Sequence, residues 1–309
     1  MGDALKGKGA VVTGAGGGLG REVALALAAE GAGVVVCDPG VGRGGEGGQA
    51  APADQVVAEI KKRGGTAVPS YDSVADFNAA EKIIKTCVNA FGSVHITVCC
   101  AGILREKMVF NMPAEDWDAV LKVHVYGTFN VVRHAAPIFR EQRFGRIITF
   151  TSVAWLGTMG QCNYGTSKGG IVSFTKAMAR ELGRYNVTAN SIAPQASTRM
   201  TMDPGVVEGM KKRMAAGIIT KETFEGFMAM KGPEYIPPIV VYLCTDDPTA
   251  GVFNGQVFGA YGGKISIFSD PIEARAIYKE GMWTLDELKS IIPTSLATGV
   301  VNIAPAEKK

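Results

Sequence analysis

The stretch Gly9-Ala10-Val11-Val12-Thr13-Gly14-Ala15-Gly16-Gly17-Gly18-Leu19-Gly20 decides the fold. A short apolar run leads straight into a glycine-rich turn. After the turn, Leu19, Val23 and Leu27, with alanines around them, mark one face of a helix. Gly31 and Gly33 end that helix, and Val34-Val35-Val36-Cys37-Asp38 reads as a second strand. Strand, helix and strand within roughly thirty residues form the parallel crossover unit.

The same alternation continues outward. A glycine-rich loop spans 39–50, and helical spacing returns from Ala53 to Arg63. Strands are expected at Thr66 to Ser70, His95 to Cys100, Arg146 to Thr151 and Thr188 to Ala193, with a further one near Gly255 to Phe258. Helices are expected near Ala79 to Phe91, from Pro113 past Tyr126, and from Tyr164 to Leu182. Apolar strands alternating with helices imply an α/β fold: a doubly wound, mainly parallel sheet covered on both faces. Residues 1–262 are expected to form one domain, with 263–309 as a C-terminal extension. Residues 200–235, rich in Met and Lys, stand outside the alternation.

Composition narrows the function. Among 309 residues, 47% are apolar and 20% charged, which excludes a disordered chain. A formal net charge of +3 is too balanced for a dedicated nucleic-acid binder. No apolar run approaches the roughly 18–20 residues that span a bilayer, and Met1 to Lys6 carries no signal-peptide core. The expectation is a soluble, cytoplasmic protein without membrane or nucleic-acid partners. Cys37, Cys87, Cys99, Cys100, Cys162 and Cys244 form no CxxC pair, so reduced buried thiols and no metal site are expected.

The glycine turn has a chemical reading. Free N–H groups at a helix N-terminus favour a pyrophosphate, and close approach requires residues without a β-carbon. Gly14, Gly18 and Gly20, with Thr13 before them and Leu19 between, have the spacing G-x-x-x-G-x-G after a strand and before a helix. Asp38 closes the second strand, where a carboxylate can accept from both adenosine ribose hydroxyls and would repel a 2′-phosphate; NAD is therefore expected over NADP. Arg43, in the loop that follows, is the residue that could turn toward such a phosphate.

Tyr164 and Lys168 lie four apart in a helical stretch and share a face. A nearby ammonium favours a phenolate and lowers the phenol's pKa. Ser152, just after the fifth strand, is placed to orient a substrate oxygen, with Thr151 as its rival. Together, Thr13-Gly14 with Gly18 and Gly20, Asp38, Asp72, Ala101-Gly102, Ser152, Tyr164 and Lys168 resemble the short-chain dehydrogenase/reductase family, nearly to residue 262. The resemblance implies a Rossmann-type sheet and hydride transfer at the nicotinamide C4. It implies Tyr164 as general acid/base, Lys168 lowering its pKa and holding the nicotinamide ribose, and Ser152 polarising the substrate oxygen. It places Asp72 and Ser73 at the adenine, Cys100-Ala101-Gly102 near the adenosine, and Ala196 to Arg199, Thr198 included, against the carboxamide.

Tyr71-Asp72-Ser73-Val74, Ala101-Gly102-Ile103-Leu104-Arg105, Ala193 to Thr201 and the insert after Asp38 further resemble the dehydrogenase part of peroxisomal multifunctional enzymes. That branch implies a (3R)-hydroxyacyl-CoA or a 17β-hydroxysteroid as substrate, NAD as cofactor, and a homodimer or homotetramer. The pattern is not complete. Cys99-Cys100 stands where the family has Asn-Asn, and Gln195 replaces a common Gly. His124 stands where many members have the Asn that reaches the lysine through a water; it either holds that water or only packs. Met200, Met202, Met210, Met214, Met228 and Met230 form either an apolar lid or a core patch. Lys211, Lys212 and Arg213 either meet CoA phosphates or form a solvated face. Trp283, Leu285 and Leu288 close the pocket or pack on a neighbouring subunit.

Overall fold

The computed structural model describes residues 2–48, 50–198 and 201–303. The first half runs β1 (Gly9–Thr13), α1 (Gly18–Ala29), β2 (Gly33–Cys37), α2 (Ala51–Lys62), β3 (Thr66–Ser70), α3 (Phe77–Phe91), β4 (Ile96–Cys99), α4 (Ala114–Leu121) and α5 (Gly127–Gln142). The second runs β5 (Gly145–Phe150), α6 (Cys162–Leu182), β6 (Val187–Gln195), α7 (Pro204–Ala215), α8 (Lys221–Met228), α9 (Pro237–Cys244), α10 (Pro248–Val252), β7 (Val257–Tyr261), β8 (Lys264–Ile267) and α11 (Leu285–Ile291).

All eight strands join one sheet in the order β3-β2-β1-β4-β5-β6-β7-β8. Pairs from β3 to β7 are parallel, and β8 returns antiparallel on β7. Consecutive valines make this possible, because neighbouring side chains on a strand point to opposite faces. Val12, Val34, Val36, Val98 and Ile148 pack with α1, α2 and α9. Val11, Val35, Cys99 and Ile147 pack with α3, α5 and α6 on the other face. Each fully buried Val, Leu or Ile contributes about 1.5–3 kcal/mol relative to exposure. Strand order reverses between β1 and β4, and ligands in such sheets bind beyond the C-terminal strand ends at that switch.

Three features depart from the sequence expectations. The sheet has an eighth strand, β8, beyond residue 262, so its edge takes in the first residues of the extension. The segment after β6 forms α7 and α8, neither of which contains a buried residue. The helix that starts at Ala114 runs through a π-helical turn, Lys122–Tyr126, into α5. Such turns occur often at functional sites. Among the described residues, no helix is long and apolar enough to cross a membrane.

Candidate active site

The glycine turn sits where β1 meets α1, and its glycines divide by task. Gly14 has φ +65°, and a β-carbon there would lie 2.8 Å from the Ala101 Cα. At Gly20 a β-carbon would lie 2.2 Å from the Gly14 carbonyl oxygen, so Gly20 lets the helix start against the strand end. Gly17 and Gly18 instead face open space, Gly18 with φ +53°. α1 begins at Gly18 with no side-chain cap and no acid in its first turn. Its free N–H groups and the positive end of its dipole therefore face an open, anion-sized space. Leu19 packs its side chain on the core and leaves its backbone to the turn.

Around this turn the other strand ends supply polar groups. Asp38 follows β2; its carboxylate accepts from Gly16 N–H at 2.8 Å and Gly40 N–H at 2.7 Å. A carboxylate has about four lone-pair sites, so acceptor capacity remains. Asp72 accepts from the Ser70 hydroxyl at 3.2 Å, and Ser73 Oγ accepts from Ala75 N–H at 3.3 Å. Thr13 is buried, and its hydroxyl oxygen accepts from Cys100 N–H at 3.1 Å and Ala101 N–H at 3.2 Å. It ties β1 to the end of β4 from beneath the cradle. Arg43 is ion-paired with Glu106. A dinucleotide fits these residues: open glycines for the pyrophosphate and a carboxylate at the second strand end. Cys99 and Cys100 are free thiols, pushed up to about 12 by burial, and so remain neutral.

The residues expected to react follow β5 and lie on α6. Thr151 is buried and donates to the Lys168 carbonyl at 2.9 Å, which locks β5 to α6. Ser152 is therefore the hydroxyl left near Tyr164, where it acts to lower the phenol's pKa; its Oγ accepts from Ala154 N–H at 3.2 Å. Lys168 is buried; its Nζ donates to the Phe150 carbonyl at 2.6 Å and sits 5.3 Å from the centroid of the Tyr164 ring. Burial pushes the ammonium down to about 8. Burial also pushes the phenol up to about 12, with the Ser152 hydrogen bond acting against it. Desolvation leads in this arrangement, and the neutral phenol is the resting form.

His124 lies in the π-helical turn with its ring edge-on to Tyr164, centroids 5.2 Å apart. Its Nε2 is 3.1 Å from Ile103 N and 2.9 Å from the Ile103 carbonyl oxygen. Nδ1 is buried without a partner. Burial, then Lys168, push the imidazole down to about 3, so it is neutral. The side chain fastens the Ile103 backbone and packs on the phenol ring. Asn163 escaped the sequence reading. It is fully buried, its Nδ2 donates to the Arg105 carbonyl at 2.9 Å, and its Oδ1 accepts from Tyr164 N–H at 2.7 Å. A polar residue directly before a helical Tyr was the only trace of it in the sequence.

Beyond β6, Ala196 is buried, and its carbonyl accepts from the Thr201 hydroxyl at 2.8 Å. Thr198 N–H donates to the same hydroxyl at 2.7 Å. Arg199 and Met200 lie outside the described residues. With nothing buried in α7 or α8, the methionines there do not form a core patch. Arg213 donates to the Met159 carbonyl at 3.5 Å and ties α7 to the segment before α6. Among the described residues no group of three or more His, Cys, Asp or Glu could hold a metal ion.

Known proteins resemble this chain in sequence and fold. A family model described as short chain dehydrogenase matches residues 8–206. A putative short-chain type dehydrogenase/reductase of Mycobacterium tuberculosis, Rv0148, is 48% identical over 82% of this chain and 82% of its own. Hydroxyacyl-CoA dehydrogenase ChsB1 of the same organism is 37% identical over 93% of this chain and 88% of its own. The peroxisomal hydratase-dehydrogenase-epimerase of Neurospora crassa is 42% identical over 83% of this chain, which spans only 26% of that protein. A crystal structure of a short chain dehydrogenase from Mycobacterium avium superposes with TM-score 0.81 at 38% identity, covering 97% of this chain and 98% of that one. A 7α-hydroxysteroid dehydrogenase complexed with NADH and 7-oxo glycochenodeoxycholic acid gives TM-score 0.70 at 28% identity, covering 84% and 96%.

Proposed function

This chain belongs to the short-chain dehydrogenase family, and from that premise we propose that it is an NAD-dependent dehydrogenase of secondary alcohols, with 3-hydroxyacyl-CoA as the substrate class. The observation that carries this reading is the cluster of Ser152, Tyr164 and Lys168, joined toward the second strand end by Cys100, which interacts with both Lys168 and Asp38. When bound, the nicotinamide ring supplies the hydride acceptor at C4. In alcohol oxidation, Ser152 orients the hydroxyl, and the Tyr164 oxygen takes its proton as the carbinol C–H leaves as hydride. Tyr164 must then be ionised, which Lys168 and the Ser152 hydrogen bond favour. In ketone reduction the neutral phenol donates its proton to the developing alkoxide, a role the raised resting value suits.

Two observations support NAD over NADP. The Asp38 carboxylate closes the second strand beside the glycine turn, bonded to Gly16 N–H, and Arg43 is held by Glu106. The acyl-CoA reading is supported by relatives named as hydroxyacyl-CoA dehydrogenase and hydratase-dehydrogenase-epimerase. A hydroxysteroid substrate is the second reading, favoured by the hydroxysteroid dehydrogenase with the same fold. The same reading has the chain act as a homodimer or homotetramer, supported by the exposed aromatic side chains of Phe77, Tyr126 and Phe129. The discriminating experiment measures NAD and NADP reduction against panels of 3-hydroxyacyl-CoA and hydroxysteroids. Fastest turnover of a 3-hydroxyacyl-CoA with NAD is expected. Turnover confined to steroids selects the second reading, and preference for NADP overturns the role given to Asp38.

A further inference from the structure

The loop that follows Asp38 is fastened across the site. Leu104 N–H donates to the Arg43 carbonyl at 3.0 Å, and Arg105 Nε donates to the Gly44 carbonyl at 2.8 Å. The Arg43 guanidinium pairs with one oxygen of the Glu106 carboxylate. The other oxygen accepts from Gln161 Nε2 at 2.6 Å. Gln161 immediately precedes α6, the helix that carries Tyr164 and Lys168. Lys107 N–H adds a bond to the Gly160 carbonyl at 2.9 Å. One carboxylate therefore joins the cofactor side of the crevice to the helix of the reacting phenol. The joined residues are 63 and 55 positions apart in the chain, so no local helix or turn geometry accounts for the contact.

We propose that Glu106 is a positioning residue that couples closure of the loop after Asp38 to the start of α6 and, balanced by Arg43, sets the electric field at the Tyr164 phenol. The inference rests on Tyr164 being the acid/base group. It assigns work to three residues, Arg43, Glu106 and Gln161, that need not touch the reacting atoms. Burial and Ser152 act on the phenol first; the titratable groups around it are Lys168 on α6, Cys100 after β4, neutral His124 on the π-helical turn, and Glu106. The thiol is neutral, so Glu106 is the negative charge in this set. Its charge opposes ionisation of the phenol, and Arg43 offsets that opposition.

The signs separate this role from a merely structural one. Glu106→Gln removes the negative charge, so the acid limb of kcat/KM for alcohol oxidation moves to lower pH. Arg43→Met uncovers the carboxylate, so the limb moves to higher pH. Each shift is expected to be roughly half a pH unit, the size of a partly screened charge at several ångströms. Both variants release the loop, so both weaken NADH binding by about three- to tenfold, read by nucleotide fluorescence without turnover. Thermal unfolding checks that each is folded; if Glu106→Gln does not fold, the upward shift in Arg43→Met decides. Limbs that move together, limbs that do not move, or unchanged NADH affinity overturn the proposal. Absence of any alcohol turnover by the wild type refutes the dehydrogenase reading instead, and the NADH titrations then decide the coupling alone.

Discussion

Lys168 holds an ammonium inside the protein, and a buried cation penalises the folded state unless its partners compensate. Its one hydrogen-bond acceptor here is the Phe150 carbonyl, and its value falls from 10.5 to about 8. Between those values the unfolded chain binds more protons than the folded one, so stability rises with pH across that window. Below about 8 the penalty is present in full. Lys168→Met is therefore expected to raise the melting temperature of the cofactor-free protein at pH 7, by the equivalent of roughly 1–4 kcal/mol, while abolishing turnover. The gain should shrink as the pH nears 10.5; a lower melting temperature at pH 7 contradicts the account. His124 works in the acid range. Its folded value of about 3 lies below the ordinary imidazole value of 6.5, so the unfolded chain binds the extra proton and stability falls as pH drops from 6.5. His124→Asn is expected to lose less stability between pH 7 and pH 4 than the wild type, measured as the shift in urea midpoint. The placement of Asp38 after β2 and of Tyr164 and Lys168 one turn apart on α6 could be read in the sequence because it is local. The direction of the phenol's shift could not, since burial is set by residues far away in the chain.

At the scale of elements, the turn between β1 and α1 ties folding to binding. The Gly20 position admits no β-carbon, because the Gly14 carbonyl oxygen would be 2.2 Å away. Gly20→Ala is expected to cost about 1–3 kcal/mol in chemical denaturation and to weaken NADH binding by more than tenfold, because the loop must open. Wild-type affinity in that variant would contradict the cradle. Strands β1, β2, β4 and β5 were legible because both of their faces are buried and each reads as a largely apolar run. β8 was not legible. It is a four-residue edge strand after Gly262-Gly263 with mostly exposed residues, too short for its Lys-Ile-Ser-Ile alternation to stand out. α7 and α8 lack a buried stripe. The π-helical turn at Lys122–Tyr126 has no sequence signature, because its extra residue is accommodated by tertiary contacts such as the one from His124 to Ile103.

Across the whole molecule, the core and the reacting groups lie within residues 5–260, while the extension is largely surface. α11 packs mainly on the turn Ile292–Thr294 that follows it, and Ile272, Tyr278 and Met282 are at least 85% exposed. A chain ending after Asp270 is expected to keep the melting temperature within a few degrees. If the extension serves the substrate site or a subunit contact, KM for a long acyl-CoA or the mass in solution changes. A collapse in melting temperature would show that the extension belongs to the core. The links from Arg43 through Glu106 to Gln161, and from Asn163 to Arg105, become visible only at this scale, because they join segments distant in sequence. The central claim is that the Tyr164 phenol moves the proton while hydride passes between alcohol and nicotinamide. Its most direct test measures NADH production from a 3-hydroxyacyl-CoA by wild type and Tyr164→Phe, with NADH affinity measured in both. The account predicts turnover lowered by about 10²–10⁴-fold in the variant and NADH affinity unchanged. Comparable turnover in the two proteins would contradict it.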